Sequence, residues 1–163
     1  MTRKIWICLA VTLLVLAADQ GGKAWVLVGL GLDEGQSHRV SSLFAITLTR
    51  NYSMSFGLLG AGPVARIFLL IFPVVVVAWL ANRARTSTST LLSVGLGFLI
   101  GGALGNAIDR LRFGWVVDFL DFTALGFPWI GNPADWAIGI GAALLAVYVV
   151  RNPGWPGEGD RGG

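Results

Sequence analysis

The chain has 163 residues, of which 55% are hydrophobic and 13% are charged, and its formal net charge is +3 at pH 7. With a mean hydropathy of +0.71, it is too apolar for an ordinary soluble domain, in which about a quarter of the residues are charged. The small positive net charge therefore indicates contact with a membrane surface and does not indicate a nucleic-acid partner.

Four apolar stretches are long enough to cross a bilayer, for which a helix needs about 20 residues. They cover residues 5–28, 64–82, 91–108 and 134–150. These stretches predict an all-α membrane protein with four transmembrane helices, and they leave no room for a second domain. We expect a single integral membrane domain over residues 1–151, followed by a flexible cytoplasmic tail over residues 152–163.

The first stretch also has the features of a cleavable signal peptide, since Arg3 and Lys4 precede an apolar run that reaches small residues at Ala17 and Ala18. The apolar character nevertheless resumes at residues 24–28, and three more stretches follow. We therefore expect an uncleaved first helix.

Positive charges orient the predicted helices. Arg3 and Lys4 precede the first helix, Arg83 and Arg85 follow the second, and Arg151 follows the fourth. With an even number of spans these charges share one side, which the positive-inside rule makes cytoplasmic. Both termini are then cytoplasmic, and most polar residues near a membrane boundary collect on the extracytoplasmic face.

The connection between the first two helices, residues 29–63, is predicted to be extracytoplasmic and partly β-structured. Residues 45–49 alternate between apolar and polar side chains, a pattern typical of a strand with one buried face. We expect a small β-rich subdomain lying on the membrane surface.

Polar residues also gather where the first and third helices reach this face. Asp19 and Lys23 are spaced for an i,i+4 ion pair at the end of the first helix. Asn106, Asp109 and Arg110 share one face of the third helix, and we interpret Asp109 and Arg110 as an interfacial ion network.

The third helix is also rich in glycine. Small residues let membrane helices approach closely, so this helix is predicted to be central to the bundle. The glycines concerned are Gly95, Gly97, Gly101, Gly102 and Gly105.

Two further carboxylates, Asp118 and Asp135, flank one short loop. Asn132 and Pro133 make a good helix start, so a capping role alone could explain Asp135. Asp118 lies between Val117 and Phe119, an apolar setting that offers no cap. Carboxylates close to lipid are costly and usually functional, and two that can meet suggest acid/base chemistry.

Other functions remain open from these residues alone. A lipid-headgroup transferase or phosphatase could use Asp109, Asp118 and Asp121 as Mg²⁺ ligands. An ion-coupled transporter could also contain membrane carboxylates, although the charges here cluster at one face. A purely structural membrane subunit is the third alternative.

Five short motifs follow one another in the order in which a known family carries them. They are D-Q-x-x-K at 19–23, an N-x-G-x-x-F-G-like stretch at 51–57, G-G-A-x-G-N-x-x-D-R at 101–110, V-V-D-F at 116–119 and N-x-A-D at 132–135. In these motifs and in its four predicted spans, the chain resembles the lipoprotein signal peptidases, or signal peptidase II, of bacteria.

This resemblance implies an aspartic endopeptidase of the bacterial inner membrane that needs no cofactor or metal. Its substrates would be diacylglyceryl-modified prolipoproteins, cut just before the lipidated cysteine, and its other contacts would be membrane lipids. Asp118 and Asp135 would be the catalytic dyad, and we expect a monomer. Residues implied in substrate binding or support of the site are Asn51, Asn106, Asp109, Arg110, Asn132, Ala134, Asp19 and Lys23.

Two neighbouring carboxylates cannot both ionise cheaply, so the pair is expected to share a proton. Asp135, at a helix N-terminus, is predicted to ionise more readily, which leaves the proton on Asp118. Three positions depart from the family pattern at the rim of this site, namely Ser53, Gly131 and Trp136. They bear on substrate fit more than on the reaction.

Overall fold

The computed structural model describes residues 3–52, 75–83, 85, 87 and 89–154. The helices are α1 (Arg3–Ala24), which continues as a π-helical turn (Trp25–Gly29), α2 (75–83), α3 (Thr90–Phe113) and α4 (Pro133–Arg151). The strands are β1 (Ser37–Arg39), β2 (Ala45–Asn51), β3 (Val116–Asp121) and β4 (Ile130–Gly131), and a short 3₁₀ turn covers Thr123–Leu125.

Three helices in the described part of the chain are long and apolar enough to cross a membrane. They are Arg3–Gly29, Thr90–Phe113 and Pro133–Arg151, in agreement with the first, third and fourth predicted spans. Most of the second predicted span, residues 64–82, lies outside the described residues, so the count of four is not tested. Most of the predicted tail, residues 152–163, also lies outside them.

Helix α3 extends five residues beyond the predicted end at 108 before it stops at Phe113. Ser89 caps its start by accepting a hydrogen bond from the backbone N–H of Leu92. Gly114 ends it in the left-handed conformation, with a φ of 78° that favours glycine. Arg110 and Arg112 in the last turn suit the negative end of the helix dipole.

The prediction that α3 is central is confirmed, because α1 and α4 both pack against its glycines. A methyl group at Gly97 would lie 2.7 Å from the Cβ atom of Val11 in α1. A methyl group at Gly102 would lie 2.5 Å from the carbonyl oxygen of Ala134 in α4. Real Cβ atoms do not approach so closely, so the glycines permit the short distances between these helices.

The sheet is antiparallel in the order β1-β2-β3-β4. The expected β-rich subdomain is present, but confining it to residues 29–63 was wrong, since β3 and β4 lie between α3 and α4. Strand β3 was not predicted because residues 116–119 are all buried. A strand buried on both faces shows no alternation of apolar and polar side chains. The register pairs Thr49 of β2 with Asp118 of β3.

The subdomain has its own apolar core, which joins the sheet to the end of α1. Val26 of the π-helical turn is fully buried there. The buried residues of this cluster are Val26, Ile46, Leu48, Val117 and Phe119. The sheet is therefore packed onto the helical bundle, and β3 lies at the junction.

The close approach of α1 and α3 makes a testable prediction. Gly97→Ala should destabilise the protein by about 1–3 kcal/mol through overpacking, because the added methyl would meet Val11 and the carbonyl oxygen of Cys8. Gly21→Ala is the matched control, since its added methyl would meet no described atom within 4 Å apart from its chain neighbours and the nearby backbone of its own helix, and it should gain about 1 kcal/mol of helix propensity. Thermal unfolding in detergent measures both, and equal stabilities would refute this packing.

Candidate active site

The structure brings Asp118 and Asp135 to the wall of one cavity. Asp118 lies in β3 and is only 2% exposed, whereas Asp135 lies in the first turn of α4 and is partly buried. The cavity has a volume of about 500 Å³. Its described lining residues are Asn51, Asp118, Trp129, Ile130, Asp135, Ile138 and Gly139.

Both carboxylates accept hydrogen bonds from asparagine amides. Asn51 Nδ2 donates to Asp118 Oδ2 at 2.9 Å, and Asn132 Nδ2 donates to Asp118 Oδ1 at 2.6 Å. Asn106 Nδ2 donates to Asp135 Oδ1 at 2.8 Å. The three predicted asparagines thus contact the two aspartates directly, and they come from β2, α3 and the residue before α4.

Obligatory donors fix the orientation of two of these amides. Lys23 Nζ, which can only donate, lies 3.3 Å from Asn106 Oδ1, so the NH₂ group of Asn106 must face Asp135. The backbone N–H of Asp135 donates to Asn132 Oδ1 at 2.9 Å, so the NH₂ group of Asn132 faces Asp118. Hydrogen bonding therefore presents donors, and not acceptors, to both carboxylates.

The predicted helix start at Asn132 and Pro133 is confirmed. Asn132 is the N-cap of α4, Pro133 occupies the first helical position and Asp135 the third. The remaining backbone donor of the first turn, Ala134 N–H, is satisfied by Asp19 Oδ1 of α1 at 3.0 Å. Ala134 itself is fully buried. A helix start favours a negative charge, so the place of Asp135 in the first turn is compatible with a chemical role.

A buried cluster of charges lies next to the pair. The predicted ion pair between Asp19 and Lys23 is confirmed, with 2.8 Å between Oδ2 and Nζ. Lys23 Nζ also lies 2.8 Å from Asp109 Oδ2. The interpretation of Asp109 and Arg110 as an ion network was wrong, because Asp109 pairs with Lys23 of the neighbouring helix. Arg110 instead donates to the carbonyl oxygen of Asn106 at 3.4 Å.

Burial and charge shift the acidity of Asp118. Desolvation raises the pKa of its carboxyl most, and the negative charge of Asp135 raises it further. Hydrogen bonds from Asn51 and Asn132 and the charge of Lys23 oppose this, and the pKa is about 7. Hydrogen bonds from Thr123 and Thr47, in contrast, lower the pKa of Asp121. Asp118 can therefore hold a proton near neutral pH.

The magnesium alternative is not favoured by this geometry. Asp109 is engaged by Lys23, Asp118 by Asn51 and Asn132, and Asp121 by Thr47 and Thr123. In the described residues no group of three or more His, Cys, Asp or Glu side chains could hold a metal ion. The ammonium group of Lys23, which pairs with Asp109, also competes with any cation for that carboxylate.

Some lining residues were missed from the sequence. Ile138 and Gly139 follow Asp135 by three and four positions, so helical spacing could have placed them on the same face. Trp129, another lining residue, lies outside the five motifs.

Gly131, one of the departures, lies beside the pair, since a methyl group there would be 3.4 Å from Asp135 Oδ2. Trp136 packs edge-on against Phe122, and Ser53 lies outside the described residues.

Comparison with known proteins gives one consistent result. A family model described as Signal peptidase (SPase) II matches residues 11–151. A lipoprotein signal peptidase of Caulobacter vibrioides is 43% identical over 146 residues, which is 89% of this chain and 87% of the relative. A lipoprotein signal peptidase of Rhodopseudomonas palustris is 40% identical over 138 residues, or 81% of this chain and 84% of the relative.

The fold agrees with this sequence relationship. A solved structure of a bacterial membrane enzyme superposes with a TM-score of 0.79 at 27% identity, covering 93% of this chain and 92% of that one. A second such structure gives a TM-score of 0.78 at 26% identity, covering 89% and 93%. By the match of its sequence over most of its length, the chain belongs to the signal peptidase II family.

Proposed function

We propose that Asp118 and Asp135 are the catalytic pair of this chain, which is an aspartic peptidase that removes signal peptides from prolipoproteins. The observation that carries the assignment is the shared cavity, whose wall includes both carboxylates. Each carboxylate accepts at least one amide hydrogen bond, and a buried ammonium group lies close by. Such surroundings let one carboxylate remain ionised while the other keeps its proton.

The chemistry is water attack assisted by the two acids. Asp135, ionised at the start of α4, takes a proton from water as the oxygen of that water attacks the peptide carbonyl carbon. Protonated Asp118 donates a hydrogen bond to the carbonyl oxygen, on which negative charge develops. When the C–N bond breaks, the proton held by Asp135 passes to the leaving amine. The products are a new carboxyl terminus and a new amino terminus.

The substrate we propose is a diacylglyceryl-modified prolipoprotein, cut immediately before the lipidated cysteine. The cavity supports this because its polar wall, Asn51, Asp118 and Asp135, is continuous with Ile138 and Gly139 of a membrane helix. A scissile bond anchored by acyl chains would reach such a place without leaving the lipid surface. Asn106, Asn132 and Arg110 would position the pair and the peptide.

We further propose a single domain, residues 1–151, with four spans in the bacterial inner membrane, and a cytoplasmic tail over residues 152–163. The polar residues at the end of α1, the end of α3 and the start of α4 are in mutual contact. Both termini would be cytoplasmic, so the active site would face the extracytoplasmic side. The protein would act as a monomer among membrane lipids, without a cofactor.

Amide substitutions test the catalytic pair. Asp118→Asn and Asp135→Asn should each lower cleavage of a diacylglyceryl-modified prolipoprotein by at least about 10³-fold, because proton transfer contributes on that order. The assay uses purified protein in lipid with EDTA present, and mass spectrometry of the products locates the cut. EDTA should leave the wild-type rate unchanged.

Asp121→Asn is the matched control. Asp121 lies in the same strand as Asp118, but its carboxylate accepts hydrogen bonds from Thr47 and Thr123. It should keep nearly full activity. Full activity in either variant of the proposed pair would refute the assignment. Loss of wild-type activity on chelation would instead favour metal chemistry.

Asp118 should also make stability depend on pH. The pKa of its carboxyl is about 7 in the folded protein and about 3.9 when unfolded. The folded state therefore binds more protons between these values, and its stability falls as pH rises, by at most about 1.4 kcal/mol per pH unit. The contribution is fully present below about pH 4 and lost above about pH 7.

Thermal unfolding of wild type and Asp118→Asn across this range measures the effect. The melting temperature of the variant should rise relative to wild type between about pH 4 and pH 7 and then stay level. A constant difference between the two proteins over the whole range would show that Asp118 is not preferentially protonated in the fold.

A further inference from the structure

Two backbone N–H groups next to the proposed catalytic pair are held by buried carboxylates. The N–H of Ala134, which precedes Asp135, donates to Asp19 Oδ1 at 3.0 Å. The N–H of Val117, which precedes Asp118, donates to Asp109 Oδ2 at 3.0 Å. Each proposed catalytic residue is therefore anchored, one position earlier in the chain, by an aspartate of a different helix.

The ammonium group of Lys23 joins these two anchors. It lies 2.8 Å from Asp19 Oδ2 and 2.8 Å from Asp109 Oδ2. Its third hydrogen faces Asn106 Oδ1 at 3.3 Å, so all three ammonium donors are used. Asp19, Lys23 and Asp109 are 0%, 2% and 1% exposed, so water cannot replace these contacts.

Gln20 forms a second, uncharged bridge between the same carboxylates. Its Nε2 atom lies 3.0 Å from Asp19 Oδ2 and 3.0 Å from Asp109 Oδ1. A third contact, at 3.2 Å, reaches the carbonyl oxygen of Gly105 in α3. The two aspartates are thus held at a fixed separation by two independent side chains of α1.

We propose that Asp19, Gln20, Lys23 and Asp109 form a clamp that sets the separation between the carboxylates of Asp118 and Asp135. The four residues are positioning residues, and naming the pair catalytic rests on the proposed function. One arm runs from Lys23 through Asp19 to Ala134, and the other runs from Lys23 through Asp109 to Val117. The clamp fixes β3 relative to α4.

The connection between β3 and α4 constrains the pair from the loop side. Its residues 123–129 are exposed, whereas the short β3–β4 ladder and the hydrogen bonds of Asn132 join Asp118 to the start of α4. The anchors act instead from the bundle side, through α1 and α3. None of the four clamp residues is among the described residues that line the cavity.

The clamp therefore predicts different effects on kcat and on KM. Loosening it should lower kcat, because a displacement of about 1 Å can cost about 100-fold in rate. It should leave KM for the prolipoprotein nearly unchanged, because the clamp does not contact the cavity. A merely structural role would instead lower the amount of folded enzyme and leave kcat per folded molecule unchanged.

The sharpest variant is the double substitution Asp19→Asn/Lys23→Met. It removes one negative and one positive charge together, so the net charge around Asp118 and Asp135 stays constant while the ionic bridge is lost. We expect kcat to fall by about 100-fold. Thr12→Val is the matched control, because Thr12 donates a buried hydrogen bond from α1 to the carbonyl oxygen of Gly97 in α3, about 10 Å along the helix from Asp19. It should leave kcat and KM unchanged.

Infrared titration of the protonated carboxyl band gives a readout that needs no substrate. The band is assigned by its loss in Asp118→Asn. The charged groups around the pair are Asp19 and Lys23 of α1 and Asp109 and Arg110 of α3. The titration therefore uses Gln20→Leu, which removes the uncharged bridge and alters none of these charges. A looser pair repels less, so its two protonation steps should move closer together than in wild type.

Several outcomes decide the proposal. Unchanged kcat in the folded double variant together with unchanged titration in Gln20→Leu would overturn it. If the double variant does not fold, Gln20→Leu removes only the uncharged bridge, and it must lower kcat with KM constant for the clamp to stand. If wild type cuts no lipoprotein, the proposed function fails, but the titration still tests the clamp by itself.

Discussion

The ammonium group of Lys23 is the contact on which the polar end of this bundle depends. A charge buried this deeply is tolerated only when it is paired, and removing one partner of a buried ion pair costs about 3–5 kcal/mol. Here two carboxylates and one amide oxygen surround it. This arrangement requires α1 to lie close to α3, and Gly105 permits it, since a methyl group there would lie 2.6 Å from Asp19 Oδ2.

The fixed charges also determine what the amides can do. Lys23 Nζ donates to Asn106 Oδ1, and the backbone N–H of Asp135 donates to Asn132 Oδ1. The NH₂ groups of both asparagines therefore point toward the carboxylates. Desolvation raises the pKa of Asp118 to about 7, so that carboxyl is the member suited to keep a proton. Asp135 lies where the helix dipole favours an anion. These surroundings support the proposed mechanism, which needs one ionised and one protonated acid.

Local features of this site could be read from the sequence, whereas contacts between elements could not. Spacing alone identified the ion pair of Asp19 and Lys23, and the cap of α4 followed from Asn132 and Pro133. The partner of Asp109 depends on how α1 packs against α3, so a neighbour in sequence, Arg110, was chosen wrongly. Strand β3 is buried on both faces and showed no alternation, and Gln20 gave no signal beyond its place in a motif.

In the proposed reaction, two neighbouring carboxylates share one proton during cleavage. The most direct measurement is the pH dependence of kcat/KM for a lipid-modified prolipoprotein with wild-type enzyme. We predict a bell-shaped profile, with the alkaline limb set by loss of the shared proton near the pKa of Asp118, about 7. A rate that keeps rising through alkaline pH would contradict the account, because it would show that catalysis needs no protonated acid.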